Sequence, residues 1–214
     1  MAQNDGPIAL EDRNVDGGRL FSPSAGRNKA VIAEALSPWL EEGASVLEIG
    51  SSTGEHAETL CQARPDISWT PSDPDLRSRE SIAARADDCP GLNAPLSLNL
   101  LENGWADGLP RFDAIFCANV IHIAPFAVAE AIAAHAPGLL SPRGFVALYG
   151  PFLEGSATTP SNLDFDRSLK ARNPDWGVRA LSDVQALFES SGMTMADRRG
   201  MPANNLLLKF GSKA

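Results

Sequence analysis

From Ser45 to Ala63 the chain reads SVLEI, then GSSTG, then EHAETLCQA. A β-branched and leucine run, a turn bounded by Gly50 and Gly54, and a segment with helical periodicity make one strand–turn–helix unit. The pattern recurs. Strands are expected at Ser45 to Ile49, Ile67 to Thr70, Pro95 to Leu100, Phe112 to Val120 and Gly144 to Tyr149, with helices at Glu55 to Ala63, Leu76 to Ala86 and Pro125 to Ala136 between them. Phe112 to Val120 is a largely apolar run, typical of a strand buried on both faces. Strands alternating with helices require a parallel sheet with right-handed crossovers. This feature most narrows the fold.

The alternation has a beginning and an end. Residues 1–22 are rich in Gly, Asp and Asn and read as an irregular arm. A helix over Ser24 to Glu42 follows, with a break expected at Pro38, where the ring removes a hydrogen bond. From Gly150 to Gly177 the chain is Pro-, Ser-, Asn- and Asp-rich, too long for a connector, and reads as a functional loop or small cap. A helix over Ser182 to Ser190, with Ser182 as its N-cap, leads to strands Met193 to Arg199 and Leu206 to Phe210, which form a closing hairpin. The expectation is an α/β, mostly parallel seven-stranded sheet with helices on both faces. Residues 23–214 would form a single domain with a loop or cap insertion near 150–178.

Composition limits the ligands. The net charge of −9 disfavours a nucleic-acid surface, which needs basic groups to displace counterions. Cys61, Cys89 and Cys117 form no C-x-x-C pair, so no metal site is expected. An odd cysteine count suits a reducing compartment. No apolar signal core begins the chain and no run of about 18 apolar residues occurs. The expectation is a cytoplasmic protein with no membrane partner; a homodimer is left open.

The glycine turn follows the first strand of the alternation, where open parallel sheets bind ligands. A phosphate-binding loop would need Lys after Gly54, and Glu55 stands there instead. A dinucleotide site wants a central glycine where Ser52 stands, although Ala57 can serve as the third small residue. Glu48, at the strand end, suits a cationic ligand. Asp73, at the end of the second strand, suits ribose hydroxyls. An adenosine carrying a sulfonium and an ammonium but no phosphate, S-adenosyl-L-methionine, fits this set. A turn with no ligand at all is the plainer alternative.

VLEIGSSTG resembles the first motif of the class I S-adenosylmethionine-dependent methyltransferases, with Ser52 at the middle glycine. A narrower resemblance covers residues 24–210. RNKAVI, VLEIGSSTGEHA, WTPSDPD, ANVIHIAPF, LYGPF, SNLDFDRSLKARNPDWGVR and MPANNLLL are similar, in order, to the methyltransferase-like family designated domain of unknown function 938. The resemblance implies a Rossmann-like methyltransferase fold. It implies that Glu48, Gly50 and Gly54, with Ser51 and Ser52 between them, line the methionine part of the cofactor. Asp73 would take the ribose, Asn99 and Leu100 would sit by the adenine, and Asn119 would face the methionine end or the substrate.

Methyl transfer needs alignment and, for a protonated acceptor, a base. His122, after the fourth strand, is the candidate base; capping a loop is its alternative role. Tyr149 is the only tyrosine and ends the fifth strand, where a phenol can bond an acceptor or an aromatic face can attend a sulfonium. His56 stands at the helix start, where free N–H groups can hold the methionine carboxylate. Arg179 is a candidate grip for an acidic acceptor, with an ion pair to Asp175 or Asp183 as its plainer role. Asn204 and Asn205 line the pocket by their place in the family motif, or satisfy backbone groups. Asn28 is expected to line the cofactor site and Lys29 to be solvated. The leading reading is methyl transfer to an O, N or S atom of a small molecule. The rival is a protein that holds the cofactor or another nucleoside without turnover.

Overall fold

The structure is a computed structural model and describes residues 13–212. Two compact units divide between Asn99 and Leu100. In the first, β1 (Asn14–Asp16) and β2 (Arg19–Phe21) form an antiparallel hairpin where the composition reads as an irregular arm. Its order comes from tertiary bonds: the Leu20 N–H donates to Ser81 Oγ at 2.8 Å and Arg19 Nε donates to the Ala84 carbonyl at 3.0 Å.

Helix α1 (Pro23–Leu36) is capped by Ser22, whose Oγ accepts the Ala25 N–H, and Pro23 occupies the first turn, where its missing donor costs nothing. The helix stops before Pro38 in a single 3-10 turn, Ser37–Trp39. β3 (Ser45–Ile49), α2 (Glu55–Ala63), β4 (Ser68–Ser72) and α3 (Leu76–Ala86) follow. β3 and β4 pair in parallel, with Ile49 opposite Ser72, so both strands end at the same edge. Asp75 caps α3 by accepting the Ser78 N–H at 2.7 Å.

The strand expected at Pro95 to Leu100 is not a strand. The chain from Gly91 runs beside β4 but meets it only at two isolated bridges, Trp69 with Leu92 and Ser72 with Leu96. Between these bridges two residues on β4 face three on the outer segment, so the register slips, and neither Pro71 nor Pro95 can donate to a ladder.

In the second unit, β5 (Phe112–Ala118) pairs in parallel with β6 (Leu140–Pro151), joined through α4 (Ala127–Leu139). After α5 (Pro160–Arg172) and α6 (Leu181–Ser190), β7 (Met193–Met201) and β8 (Asn205–Ser212) form the closing hairpin, with β8 antiparallel to β6. In the first unit the strand order is β4-β3, and in the second it is β5-β6-β8-β7 with one parallel and two antiparallel pairings, so the described residues hold six strands besides β1 and β2, and they are mixed, not a mostly parallel set of seven. Ala180, not Ser182, occupies the N-cap of α6, and Ser182 Oγ turns to Asp183.

Buried residues of α5 fall at helical spacing, Asn162, Asp166 and Leu169, but two of the three are polar. A hydrophobic stripe is absent, which is why the segment reads as a loop. Among the described residues no helix is long and apolar enough to cross a membrane.

Candidate functional site

In the first unit the site forms where β3 and β4 end. Three residues between the strand and α2 take positive φ: Gly50 at 67°, Ser52 at 53° and Gly54 at 81°. Ser52 thus adopts the left-handed conformation of the glycine it replaces, at a cost of roughly 1 kcal/mol. Two bonds hold it there. Its N–H donates to Asp73 Oδ2 at 2.8 Å, and its Oγ accepts from Arg13 Nη2 at 2.9 Å.

Asp73 is 8% exposed, and its second oxygen accepts the Asp75 N–H at 2.9 Å. Burial pushes its pKa up while these two backbone donors pull it down. Each oxygen keeps a lone pair for a further donor. Ser51 ties the same edge together: its N–H donates to the Ser72 carbonyl at 2.8 Å and its Oγ accepts the Ser72 N–H at 3.1 Å.

Gly54 serves packing. A Cβ there would lie 3.0 Å from Ile82 Cγ1 and 3.3 Å from Ile82 Cα, so its missing side chain lets α3 close on the turn. Glu48 is buried beneath the turn, 1% exposed, with Oε2 accepting the Trp69 indole N–H at 2.9 Å. Desolvation raises its pKa to about 7.

Helix α1 brings Asn28 to His56: Oδ1 and Nε2 are 2.8 Å apart. Burial lowers the His56 pKa to about 4, so the ring is neutral and its Nε2–H donates to Asn28. Lys29 is not solvated as expected. Its ammonium lies 3.1 Å from Oε1 of Glu55, a carboxylate buried at 2% exposure that also accepts the Ser22 N–H at 2.7 Å. A buried carboxylate needs such partners, so Lys29 is drawn in. Asn99 lies partly exposed beyond the segment that follows β4.

Sequence reasoning missed Arg85. It is 1% exposed, donates to the Thr53 carbonyl at 2.8 Å and the Leu20 carbonyl at 2.6 Å, pairs with Glu58, and lies 4.7 Å from the centre of the Phe21 ring. One side chain thus joins the hairpin, the glycine turn and α2. An arginine in the last turn of a polar helix gave no local signal of this.

In the second unit the register gathers most of the remaining candidates at one edge. Ala118 lies opposite Tyr149, and Pro151 opposite Asn205. Asn119, next after β5, takes φ 61° and donates its N–H to the Tyr149 carbonyl at 2.8 Å. Tyr149 is 2% exposed.

His122 is 1% exposed, with its ring edge-on to Phe152 at 5.3 Å, and neither ring nitrogen has a hydrogen-bond partner among the described residues. Burial first, and the nearby Arg179 charge second, depress its pKa to about 3. The ring is therefore neutral and weakly basic.

Arg179 grips backbone. It donates to the carbonyls of Ile121 at 2.8 Å, Ala124 at 2.6 Å and Asp175 at 2.8 Å, which fixes the loop that carries His122. Asn204 donates to Ser161 Oγ at 2.9 Å, its carbonyl accepts Asn162 Nδ2 at 3.0 Å, and Asn205 Nδ2 donates to the Pro202 carbonyl at 2.9 Å. The Asn204 and Asn162 bonds tie α5 to the β7–β8 turn, and the Asn205 amide closes the turn on itself. Asp166 holds the return of the chain, accepting the Val178 N–H at 2.9 Å. Leu100 is buried at 8% exposure, and all the other second-unit candidates lie along the edge just described.

Comparison with solved structures gives the fold independently. The chain is similar to the pyocyanin biosynthetic protein PhzM at 15% identity and a TM-score of 0.69, covering 89% of this chain and 59% of that one. It is similar to human N-acetylserotonin methyltransferase in complex with SAM at 13% identity and a TM-score of 0.71, covering 89% and 53%. An O-methyltransferase family protein from Burkholderia thailandensis matches at 17% identity and a TM-score of 0.68, covering 89% and 60%. The chain thus spans between 53% and 60% of the length of these three structures, and such identities speak to fold.

A family model described as "Protein of unknown function (DUF938)" matches residues 19–212. The match runs from the hairpin that Arg85 anchors to the last strand of the sheet, so the chain belongs to this family and has a class I methyltransferase-like fold.

Proposed function

We propose that the protein is an S-adenosylmethionine-dependent methyltransferase that methylates an O, N or S atom of a small molecule. One observation carries the reading. At the carboxyl end of a parallel strand pair, in a chain with the methyltransferase fold, an open turn of three positive-φ residues is held against a buried aspartate with acceptor capacity to spare. This donor and acceptor set fits an adenosyl group: Asp73 for the ribose hydroxyls and the turn's backbone for a close approach.

When bound, S-adenosylmethionine supplies a methyl group activated by positive sulfur. The work left to the chain is binding and alignment. Glu48 acts from below the turn, bracing β3 against Trp69, and His56 and Asn28 brace the start of α2. In the second unit His122 and Tyr149 attend the acceptor, and Arg179 positions His122 through the Ile121 carbonyl. His122 binds in its neutral form and takes a proton from the acceptor only if ligand binding raises its basicity.

That weak basicity favours a second reading, in which the protein holds S-adenosylmethionine or another nucleoside without turnover. Calorimetry with S-adenosylmethionine and S-adenosylhomocysteine, followed by a methyl-release assay over thiols, amines, phenols and carboxylates, separates them. Binding with release on one acceptor class supports the enzyme; binding with no release supports the holder. Binding of neither compound sinks the enzyme and leaves, of the second reading, only a holder of another nucleoside.

A further inference from the structure

Ser52 departs from the glycine pattern, and the structure gives that departure a use. A glycine in the middle of the turn would take the same φ more cheaply, but it has no hydroxyl. The Ser52 hydroxyl is the point where the N-terminal segment reaches the turn: Arg13 Nη2 donates to it at 2.9 Å and Nη1 donates to Ser78 Oγ, on α3, at 3.3 Å. Asp73 and Asp75 supply the negative charge that the guanidinium faces.

Among the described residues, the hydrogen bonds that anchor the hairpin behind Arg13 come from its second strand and the residue that follows it. Arg19 bonds the Ala84 carbonyl and Asp88, Leu20 bonds Ser81 and Arg85, and the Ser22 N–H bonds Glu55. All three residues of β1 are exposed, Val15 at 56%. One strand is fastened to α3 and α2, the other is paired to it, and Arg13 stands just before that paired strand.

We propose that Arg13 is a further residue of the ligand site, the latch of an N-terminal strap that docks on the Ser52 hydroxyl and slows escape of an adenosyl ligand from the glycine turn. The proposal rests on the turn binding such a ligand, as the proposed function holds. Closure stabilises the turn in the conformation that Asp73 holds and places a cation over the oxygens of Ser52 and Ser78. Opening breaks the bonds of Arg13 to Ser52 and Ser78 and the pairing of β1 with β2, so the strap can release while the anchored strand stays in place.

The test uses the full-length protein and the variants Arg13→Met, Ser52→Gly and the pair combined, with S-adenosylhomocysteine as the probe. Ser52→Gly suits the turn's positive φ and removes the hydroxymethyl group, and with it the acceptor for Arg13. Two readouts are taken: the dissociation rate of the probe by stopped flow, and hydrogen exchange of the ligand-free protein over residues 13–22. The expected result is faster dissociation in each single variant, about tenfold for about 1.4 kcal/mol of lost hydrogen bonding, with no further increase in the double variant. Exchange should rise over residues 13–18 and stay constant at the Leu20 and Ser22 amides, which donate to Ser81 and Glu55 independently of β1.

Additive effects of the two substitutions, or unchanged dissociation with unchanged exchange, would overturn the latch. If the wild-type protein binds no probe, the methyltransferase reading falls and the role proposed for Arg13 at a ligand falls with it, while the exchange data still show whether Arg13 and Ser52 close the strap. If the probe binds and neither substitution alters its dissociation, only the latch is lost.

Discussion

Gly150 makes room for His122. A Cβ on Gly150 would lie 2.5 Å from His122 Nε2 and 2.9 Å from Cδ2, closer than real atoms pack. The glycine ends the strand stretch LYG because an imidazole, itself held between Phe152 and the Arg179 charge, needs that space.

Gly150→Ala is therefore an overpacking change at a ring that is 1% exposed, with little room to yield. We expect a loss of about 1–3 kcal/mol in urea unfolding. A His122→Ala, Gly150→Ala double variant should recover part of the Gly150→Ala penalty, because the clashing ring is gone. Equal cost with and without the imidazole would refute the relationship.

Asp73→Ala removes the acceptor of the Ser52 and Asp75 N–H groups. Affinity for S-adenosylmethionine should fall by about 1–3 kcal/mol, read by calorimetry on folded protein. Asp73→Asn, which retains one carbonyl oxygen, should lose less. A folded Asp73→Ala protein with unchanged affinity removes this residue from the site.

Glu48 gives a pH signature of definite sign. Its folded pKa, about 7, lies above the ordinary carboxylate value of 4.5. The native state then binds more protons than the unfolded state between those values, so this group's contribution declines as pH rises through that window. Glu48→Gln keeps an oxygen for the Trp69 indole and removes the titration. The variant should be more stable than wild type at pH 8, by up to about 3 kcal/mol from the linkage relation, with the gap narrowing toward pH 4.5. Thermal melts across that range check it; a gap of constant size contradicts the assignment.

Arg85→Met should cost about 3–5 kcal/mol, since it leaves Glu58 without its buried partner and takes a donor from each of two carbonyls, those of Thr53 and Leu20, of which Thr53 keeps Ser81 Oγ. Guanidinium melts measure the loss. Hydrogen exchange should rise in the β1–β2 hairpin as well, because the Leu20 carbonyl is one of those two.

The sequence by itself determined the βα alternation, the break at Pro38, the glycine turn and the closing hairpin. Each is written in local periodicity or in residues with restricted backbones, which need no knowledge of distant contacts. It also determined the family, through motifs that span the chain. What only the tertiary structure decided lies where polar groups find partners far along the chain. The N-terminal hairpin is ordered by Ser81, Ala84 and Arg85, and α5 buries Asn162 and Asp166 in place of a hydrophobic face. The segment at Pro95 fails as a strand through a register slip against β4. Ser52, an irregular letter in a familiar motif, becomes intelligible only with Asp73 on one side and Arg13 on the other. A hydrogen bond between residues dozens of positions apart leaves no periodic trace in composition, so it appears only when the chain has folded.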